Sequence, residues 1–440
     1  MKAGIAGALL LGSIAAFGLI LLQDHSQGSA SGKGVSLKKV HPPEAKSQGE
    51  KSLTGSIARE SPAVVTNAGD STPVGKTIRL FDEFLRHHLD STGTVGAAAT
   101  VIQGQEVVYT LTYGVRRVGT NDSVGLHTVF RLASVSKGFA GVLACELDRQ
   151  GRLALDDRVI SYLPGFRLKD SVNTQDLKIR HLLSHTSGLV PHAYDDLAEA
   201  GQKVGEILPR LREVNIAAPP GRLYGYQNVL FSLIDTIAFL GTGETYSRLL
   251  QDYIFKPLGM ENASTGYREL VWNSDVAFPH ARRNREFYPL PLHTGYYNLI
   301  PAAGVNASIN DLGKWLKALL GSSPDAISAE SLRRIATPEV ETPLRKAYTR
   351  HWDPIDGRYY SFGWRVFDYK GVRIMYHGGY VRGYRAEIAF CPELGTGLAF
   401  IENSPNGVAS LCVPTFYNLL LKERQLTASI PPSQGIRVIP

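Results

Sequence analysis

A chain of 440 residues, of which 43% are hydrophobic, can bury a large core, so the composition excludes a mostly disordered protein. The formal net charge is +7, but the basic residues are scattered and no nucleic-acid-binding motif accompanies them, which argues against a nucleic-acid partner. Three cysteines, Cys145, Cys391 and Cys412, are too few for a disulfide framework, although a bond between Cys391 and Cys412 stays open.

An export signal is predicted at the N-terminus. After Met1 and Lys2, residues 3–22 carry no charge, and a stretch of small residues follows at 28–30. A cleaved signal usually has an apolar core of about 7 to 15 residues, whereas about 20 can cross a bilayer, so a cleaved signal and an uncleaved anchor both fit. Residues 1–30 are therefore predicted as an export signal or membrane anchor. The body is expected in a bacterial cell envelope, on the periplasmic side, either secreted or held at the inner membrane by residues 3–22.

A flexible tether is predicted over residues 31–75. This stretch is rich in Ser, Gly, Lys, Pro and Glu, and it has too few apolar side chains to offset the entropy cost of ordering it. The folded body is predicted over residues 76–424, and residues 425–440 are predicted as a C-terminal tail.

Strand patterns lie at both ends of the predicted body, and helical patterns lie between them. Apolar spacing predicts terminal helices at 76–88 and 408–422. Strands are predicted at 95–102, 106–113, 361–369, 372–377, 385–390 and 396–402. The middle is predicted to be mainly helical, with helices such as 228–239 and 310–320. This order favours an α+β fold, in which one antiparallel sheet is flanked by the terminal helices and carries an inserted, mainly helical region.

Ser134 is the predicted nucleophile. If a helix starts at or just after Ser134, the amine of Lys137 lies one turn along the same face and can take or polarise the serine proton. The N-terminus of that helix adds free N–H groups and a positive dipole for a developing oxyanion. The apolar run after Lys137 indicates a buried helix, and burial would lower the pKa of Lys137. Ser36 and Lys39 have the same spacing but lie in the predicted tether, so the context favours Ser134.

A second element is expected because Lys137 needs a partner to pass a proton to the leaving group. Tyr226 and Asn228, in the pattern Tyr-x-Asn, follow a Pro-Pro-Gly turn and open a predicted helix. Tyr296 and Asn298 repeat the pattern in an aromatic loop. The rigid frame favours Tyr226, and Tyr296 is kept as an alternative.

The third element is a strand edge with small residues, which would let the backbone approach a substrate. His377, Gly378 and Gly379 end one predicted strand and precede another. His293 begins a similar His-Thr-Gly sequence, but it lies in a loop without a strand pattern. Position therefore favours His377.

These three ordered motifs resemble those of the class C β-lactamase and penicillin-binding protein-like serine hydrolases, a family that includes D-aminopeptidases and esterases. Further matches support the resemblance at 182–189, at 257–260 and at 302–304. The similarity covers roughly residues 76–424. It implies a β-lactamase/transpeptidase-like fold and an acyl-enzyme mechanism. No cofactor and no metal are predicted.

The resemblance also implies a role for each matched residue. Ser134 would attack the carbonyl, Lys137 and Tyr226 would transfer protons, and Asn228 would orient the lysine and the substrate amide. The backbone N–H groups of Ser134 and Tyr380 would form the oxyanion hole.

At the third motif the resemblance implies that His377 takes part in catalysis and that Gly378 and Gly379 bind substrate. β-Lactamases of this group usually carry Lys-Thr-Gly there. An unperturbed histidine is largely neutral at pH 7 and Gly378 has no hydroxyl, which argues against efficient β-lactam hydrolysis. The predicted substrate is therefore a small-molecule or peptide ester or amide, with peptidoglycan-derived compounds included.

Other readings of the sequence are weaker. His181 and His185 have helical spacing, but the Glu of a His-Glu-x-x-His zinc site is missing. The Gly-x-Ser-x-Gly motif of α/β-hydrolases is absent. A β-lactamase or D,D-peptidase acting on peptidoglycan peptides remains an alternative, as does a non-catalytic penicillin- or cell-wall-binding protein. A pure binder would not need the full set of Ser134, Lys137, Tyr226 and Asn228.

Overall fold

The structure is a computed structural model that describes residues 72–343 and 349–428. The predicted export segment, the predicted tether up to residue 71 and the end of the predicted tail, from residue 429, lie outside the described residues. Within the two described ranges, no helix is both long and apolar enough to cross a membrane.

An eight-stranded antiparallel sheet forms the framework of the described chain. The strands of the described residues, in this sheet and in two separate pairs, are β1 (Gly96–Gln103), β2 (Glu106–Gly114), β3 (Phe130–Arg131), β4 (His280–Arg283), β5 (Glu286–Pro289), β6 (Asn306–Ala307), β7 (Val340–Glu341), β8 (Gly357–Tyr360), β9 (Arg365–Tyr369), β10 (Val372–Val381), β11 (Tyr384–Cys391) and β12 (Thr396–Glu402). The sheet has the order β2-β1-β12-β11-β10-β9-β8-β7, so its first and last strands in sequence meet at β1 and β12. The strands β3 and β6 form a separate pair, as do β4 and β5.

The helices lie at the two ends and in the middle of the chain. They are α1 (Pro73–Thr92), α2 (Ser136–Arg149), α3 (Val159–Tyr162), α4 (Ser171–Asp176), α5 (Ile179–Leu183), α6 (Asp195–Glu199), α7 (Val204–Ile207), α8 (Asn228–Phe231), α9 (Leu233–Thr242), α10 (Tyr246–Leu250), α11 (Tyr267–Trp272), α12 (Ile300–Ala303), α13 (Ile309–Leu319), α14 (Ala329–Ala336) and α15 (Ala409–Ala428). Short 3₁₀ turns occur at Ala133–Val135, Leu208–Glu213 and Tyr297–Leu299, and a π-helical turn at Gln251–Phe255.

The sheet is covered on both faces. On one face α1 and α15 pack together, with the rings of Phe81 and Phe416 at 5.5 Å between centroids, edge to face. On the other face lie α2, α13 and the middle helices, and Gly397 on β12 makes room for the buried side chain of Leu316. Burial of a side chain as large as Phe81 contributes about 1.5 to 3 kcal/mol. This arrangement confirms the predicted α+β fold with terminal helices on the sheet and a helical insertion.

Some element boundaries differ from the prediction. Helix α1 begins at Pro73, with the Thr72 hydroxyl accepting from the Gly75 N–H as a cap, so residues 73–75 belong to the helix and not to the tether. Helix α15 continues to Ala428 and takes up the start of the predicted tail. The predicted helix 228–239 is divided at Ser232 into α8 and α9, and it ends at Gly243, whose φ of +77° is left-handed.

The predicted strand at 361–369 is confirmed from Arg365 onward, as β9, but it is wrong over 361–364. The chain turns between β8 and β9, and the Ser361 N–H donates to the Trp364 carbonyl at 2.8 Å. Gly363 has a φ of +77°, and a Cβ there would lie 2.0 Å from the carbonyl oxygen of Lys137. The turn is therefore packed against the start of α2, a tertiary contact that strand propensity cannot reveal.

All three cysteines are buried and free, so Cys391 and Cys412 are not bonded to each other. Burial raises the pKa of the Cys145 thiol to about 12, which keeps it in the unreactive protonated form. Packing, not cross-linking, holds the described fold.

Candidate active site

Ser134 lies in the 3₁₀ turn that leads directly into α2. The preceding residue, Ala133, has a φ of +48°, a left-handed conformation that is uncommon for a residue with a Cβ. Strained backbone of this kind is typical of functional sites, where the surrounding structure holds it in place. Ser134 is half-buried, so its hydroxyl sits at the edge of the core.

Lys137, one turn after Ser134, is fully buried and points at three polar atoms. Its Nζ lies 3.4 Å from Ser134 Oγ, 2.7 Å from Asn228 Oδ1 and 2.9 Å from the Ala302 carbonyl oxygen. Burial lowers the pKa of Lys137 well below its ordinary value, the charge of Asp195 opposes this effect and the charge of Arg365 adds to it.

These contacts suit a neutral amine. A neutral amine has two N–H donors and one lone pair, and the two short contacts, to Asn228 and Ala302, use both donors. In a neutral amine the lone pair would then be left for the third neighbour, Ser134 Oγ, which lies 3.4 Å from Nζ. The 3.4 Å separation is long for a hydrogen bond, but catalytic contacts often tighten only when a substrate is bound.

Asn228 is the first residue of α8, and Tyr226 lies two residues before it, separated by Gln227 in extended backbone. Both are nearly buried. The ring centroid of Tyr226 lies 4.8 Å from Lys137 Nζ and 6.5 Å from the ring of His377. The predicted second motif is therefore brought to the same place as Lys137, with the third motif beside it.

Strand β10 runs past the Ser134 turn. A Cβ on Gly379 would lie 2.2 Å from the Leu132 carbonyl oxygen and 3.0 Å from the Ser134 nitrogen, so only glycine permits this approach. Tyr380 follows directly, with a side chain that is 62% exposed. The backbone of Tyr380 is thus next to the turn whose Ser134 N–H is the other predicted oxyanion donor.

Gly378 and Gly379 lie on opposite faces of β10, although both were predicted to bind substrate. A Cβ on Gly378 would lie 2.8 Å from Glu387 Oε2, on the face that carries the terminal helices. Since side chains alternate along a strand, Gly379 and His377 share the face toward Ser134. The space left by Gly378 is used inside the protein, by Glu387 and the Tyr376 hydroxyl.

His377 is buried, and its Nε2 lies 3.1 Å from the Tyr360 hydroxyl. Burial holds the pKa of His377 well below its ordinary value, and the positive charge of Arg365 lowers it further. His377 is therefore neutral at pH 7. The third motif offers a polar ring but no cation.

The alternative residues considered from sequence are placed differently. Asn298, the partner of Tyr296 in the second Tyr-x-Asn pattern, donates to the Gln202 carbonyl and not to Lys137. His293 Nδ1 accepts from the backbone N–H of Gly295, inside its own loop.

The histidines with helical spacing are each tied to backbone. His181 Nδ1 accepts from the Lys178 N–H and His185 Nδ1 from the Gln227 N–H, both at 3.1 Å. In residues 72–343 and 349–428, no group of three or more His, Cys, Asp or Glu side chains is placed to hold a metal ion.

Sequence reasoning missed three residues next to this site. Asp195 Oδ2 accepts from Asn228 Nδ2 at 2.8 Å, and the Ala302 carbonyl accepts from Lys137. Arg365, on β9, has its guanidinium 5.8 Å from the Tyr226 ring. Asp195 and Arg365 belong to no recognisable motif, and only the folded chain brings them to Lys137. Ala302 lies in a segment that the resemblance had already marked.

Comparison with known proteins gives matches over most of the chain. The sequence model of one family, described as Beta-lactamase, matches residues 81–421. An unguisins hydrolase of Aspergillus campestris is 26% identical over 354 residues, covering 74% of this chain and 61% of that protein. Penicillin-binding protein 4 of Amycolatopsis lactamdurans is 26% identical over 351 residues, covering 77% of this chain and 86% of that protein.

Solved structures have the same fold. The octameric penicillin-binding protein homologue from Pyrococcus abyssi superposes with a TM-score of 0.68 and 23% identity, covering 80% of this chain and 77% of that one. The match to the fungal hydrolase, by contrast, spans only about three fifths of that protein's length.

Proposed function

The chain belongs to the beta-lactamase family, and on that premise we propose that it is a serine hydrolase that cleaves an ester or amide through an acyl-enzyme on Ser134. One observation carries the proposal. The buried Lys137 amine lies between two fixed acceptors, on Asn228 and Ala302, and the Ser134 hydroxyl. A lysine with a lowered pKa in this position is a base directed at a nucleophile.

In the proposed reaction, Ser134 Oγ attacks the substrate carbonyl carbon and its proton passes to Lys137 Nζ. The oxyanion is held by the N–H groups of Ser134 and Tyr380, where each donor contributes about 2.7 to 4 kcal/mol in comparable enzymes. The C–O or C–N bond then breaks, and the leaving group takes the proton by way of Tyr226. Water attacks the acyl-enzyme, the acid leaves, and Ser134 regains its proton.

The third motif supports an ester or amide substrate over a β-lactam. His377 is neutral because it is buried and lies beside the charge of Arg365, and Gly378 supplies no hydroxyl. Neither residue offers the cation and hydroxyl that Lys-Thr-Gly would provide for a substrate carboxylate. The named relatives include a hydrolase of unguisins and a penicillin-binding protein, so D-amino peptides and peptidoglycan-derived peptides belong in the substrate search.

The test is a substrate panel of short acyl esters, D-amino peptides and a chromogenic β-lactam, run on the wild type and on Ser134→Ala. We expect turnover of an ester or amide by the wild type and little of the β-lactam. The Ser134→Ala variant should lose at least about 10³-fold of that rate, because the nucleophile is gone. Equal rates for the two proteins would exclude the mechanism. Stable labelling by fluorescent penicillin without turnover would favour a binding protein.

We further propose that the protein acts in a bacterial cell envelope on the periplasmic side. The uncharged run at 3–22 and the tether composition after it support this proposal. Expression of the full chain in a bacterium, followed by fractionation and N-terminal sequencing, tests it. A mature N-terminus near residue 30 or an intact chain in the inner membrane would fit. An intact chain in the cytoplasm, under conditions where a known exported control is processed, would not.

A further inference from the structure

We propose that Asp195 is a positioning residue of this site: its carboxylate holds the Asn228 amide with the oxygen toward Lys137, and its negative charge acts on the Lys137 amine. The proposal rests on the hydrolase function proposed above. Asp195 is part of none of the three motifs, and it lies at the first position of α6.

The amide orientation follows from hydrogen-bond chemistry. An ionised carboxylate only accepts hydrogen bonds, so Asn228 must present its NH₂ group to Asp195, and Nδ2 donates to Asp195 Oδ2 at 2.8 Å. The carbonyl end of the same amide is then directed at Lys137, where Oδ1 lies 2.7 Å from Nζ. A flipped amide would place its oxygen against the carboxylate and its NH₂ against the lysine. Asp195 therefore selects the orientation that the lysine needs.

Backbone conformation and hydrogen bonds fix the segment before α6, and with it the position of Asp195. His192 and Tyr194 both have left-handed backbone, with φ of +63° and +60°. The His192 N–H donates to the Tyr226 carbonyl at 2.8 Å, and the Gln227 side chain donates to the Val190 carbonyl. The segment is thus tied to the chain that carries Tyr226 and Asn228. Left-handed residues that are over-determined by their surroundings are typical of such sites.

Only one of the two carboxylate oxygens of Asp195 has hydrogen-bond partners among the described residues. His192 Nδ1, on a half-exposed ring, lies 2.7 Å from Oδ2, the same oxygen that Asn228 uses. The other oxygen, Oδ1, is buried and has no hydrogen-bond partner among the described residues. Asp195 raises the pKa of Lys137 against the effect of burial, while Arg365 acts in the opposite direction. His185 and His377 also lie close to Lys137, and burial keeps both neutral.

Two substitutions separate the hydrogen bond from the charge. Asp195→Asn can still offer an amide oxygen to Asn228 but removes the charge, whereas Asp195→Ala removes both. Asp196→Asn is the matched control, because Asp196 is the exposed next residue and carries the same charge. All variants are compared by thermal melting before kinetics are measured.

We expect kcat of Asp195→Ala to fall about tenfold or more, with little change in KM, because the Asn228 donor loses its partner. In Asp195→Asn we expect kcat to stay within about threefold of the wild type, because the acceptor is kept. The acid limb of its kcat/KM profile should move to lower pH, because loss of a nearby negative charge lowers the pKa of Lys137. Asp196→Asn should have the kcat, the KM and the acid limb of the wild type.

A second readout does not need turnover. NMR of protein labelled with ¹⁵N-lysine gives the titration of Lys137, whose signal is assigned by its loss in Lys137→Arg. We expect the Lys137 titration to move to lower pH in Asp195→Asn and to stay in place in Asp196→Asn. A wild type that hydrolyses nothing would end the hydrolase proposal, yet the titration would still decide the role of Asp195. An active wild type whose pH limb and Lys137 titration are unchanged in Asp195→Asn would overturn this inference alone.

Discussion

The burial of Lys137 within the core determines the pKa of its amine. A free lysine has a pKa of about 10.4, so it is protonated at neutral pH and cannot act as a base. Here burial lowers the pKa of Lys137, and Nζ makes its two shortest contacts with the acceptors on Asn228 and Ala302. In the mechanism proposed for this site, the lone pair of the neutral amine accepts the serine proton.

The pH dependence of the acylation rate should show the lowered pKa of Lys137. The rate should rise with pH as Lys137 loses its proton, and the midpoint of that rise should lie well below the ordinary pKa of a lysine. Lys137→Arg should abolish the rise and lower the rate about 10²- to 10⁴-fold, because a guanidinium stays protonated. Lys203→Arg, a change at an exposed lysine, serves as the control. Stopped-flow acylation rates across pH provide the measurement, and a wild-type rise centred near pH 10 would contradict the lowered pKa.

At the scale of elements, three pieces of chain meet at one point. The Ser134 turn and α2 provide the proposed nucleophile and the Lys137 amine, the start of α8 provides Asn228, and β10 provides the strand edge. The contact between β10 and the turn depends on Gly379, which has no side chain to separate them.

Gly379→Ala should therefore lower both activity and stability. A Cβ placed 2.2 Å from the Leu132 carbonyl must push β10 or the turn aside, and such overpacking costs about 1 to 3 kcal/mol. Gly205→Ala is the matched control, since a Cβ there meets nothing within 4 Å and Gly205 lies within α7. Thermal melts and ester turnover of both variants test the claim. A Gly379→Ala protein as active and as stable as Gly205→Ala would show that the approach is not needed.

Local sequence pattern was enough to predict the strands 95–102, 106–113, 385–390 and 396–402, because their apolar residues alternate or run continuously. It failed at 361–364, where the aromatic residues are typical of a strand but Gly363 makes a tight turn against α2 before β9 begins. The turn is set by a contact with a residue more than two hundred positions away in the chain. Such contacts carry no local signal.

At the scale of the whole molecule, the candidate active site also depends on contacts that have no local sequence signal. Ser134, Lys137, Tyr226, Asn228 and His377 were found because their types and spacing form motifs, and the fold brings them together. Asp195 and Arg365 could not be found, because a lone acid in a short helix and a lone arginine in a strand have no pattern. They become visible only when the sheet and the helical region close around Lys137.

The most direct measurement is the chemical identity of the intermediate. The wild type is mixed with a p-nitrophenyl ester, quenched with acid within the first turnovers, digested and analysed by mass spectrometry. We expect the acyl mass on the peptide that contains Ser134, at that residue, and no adduct in Ser134→Ala. An acyl group on another residue, or ester turnover by the wild type with Ser134 never modified, would contradict the acyl-enzyme mechanism.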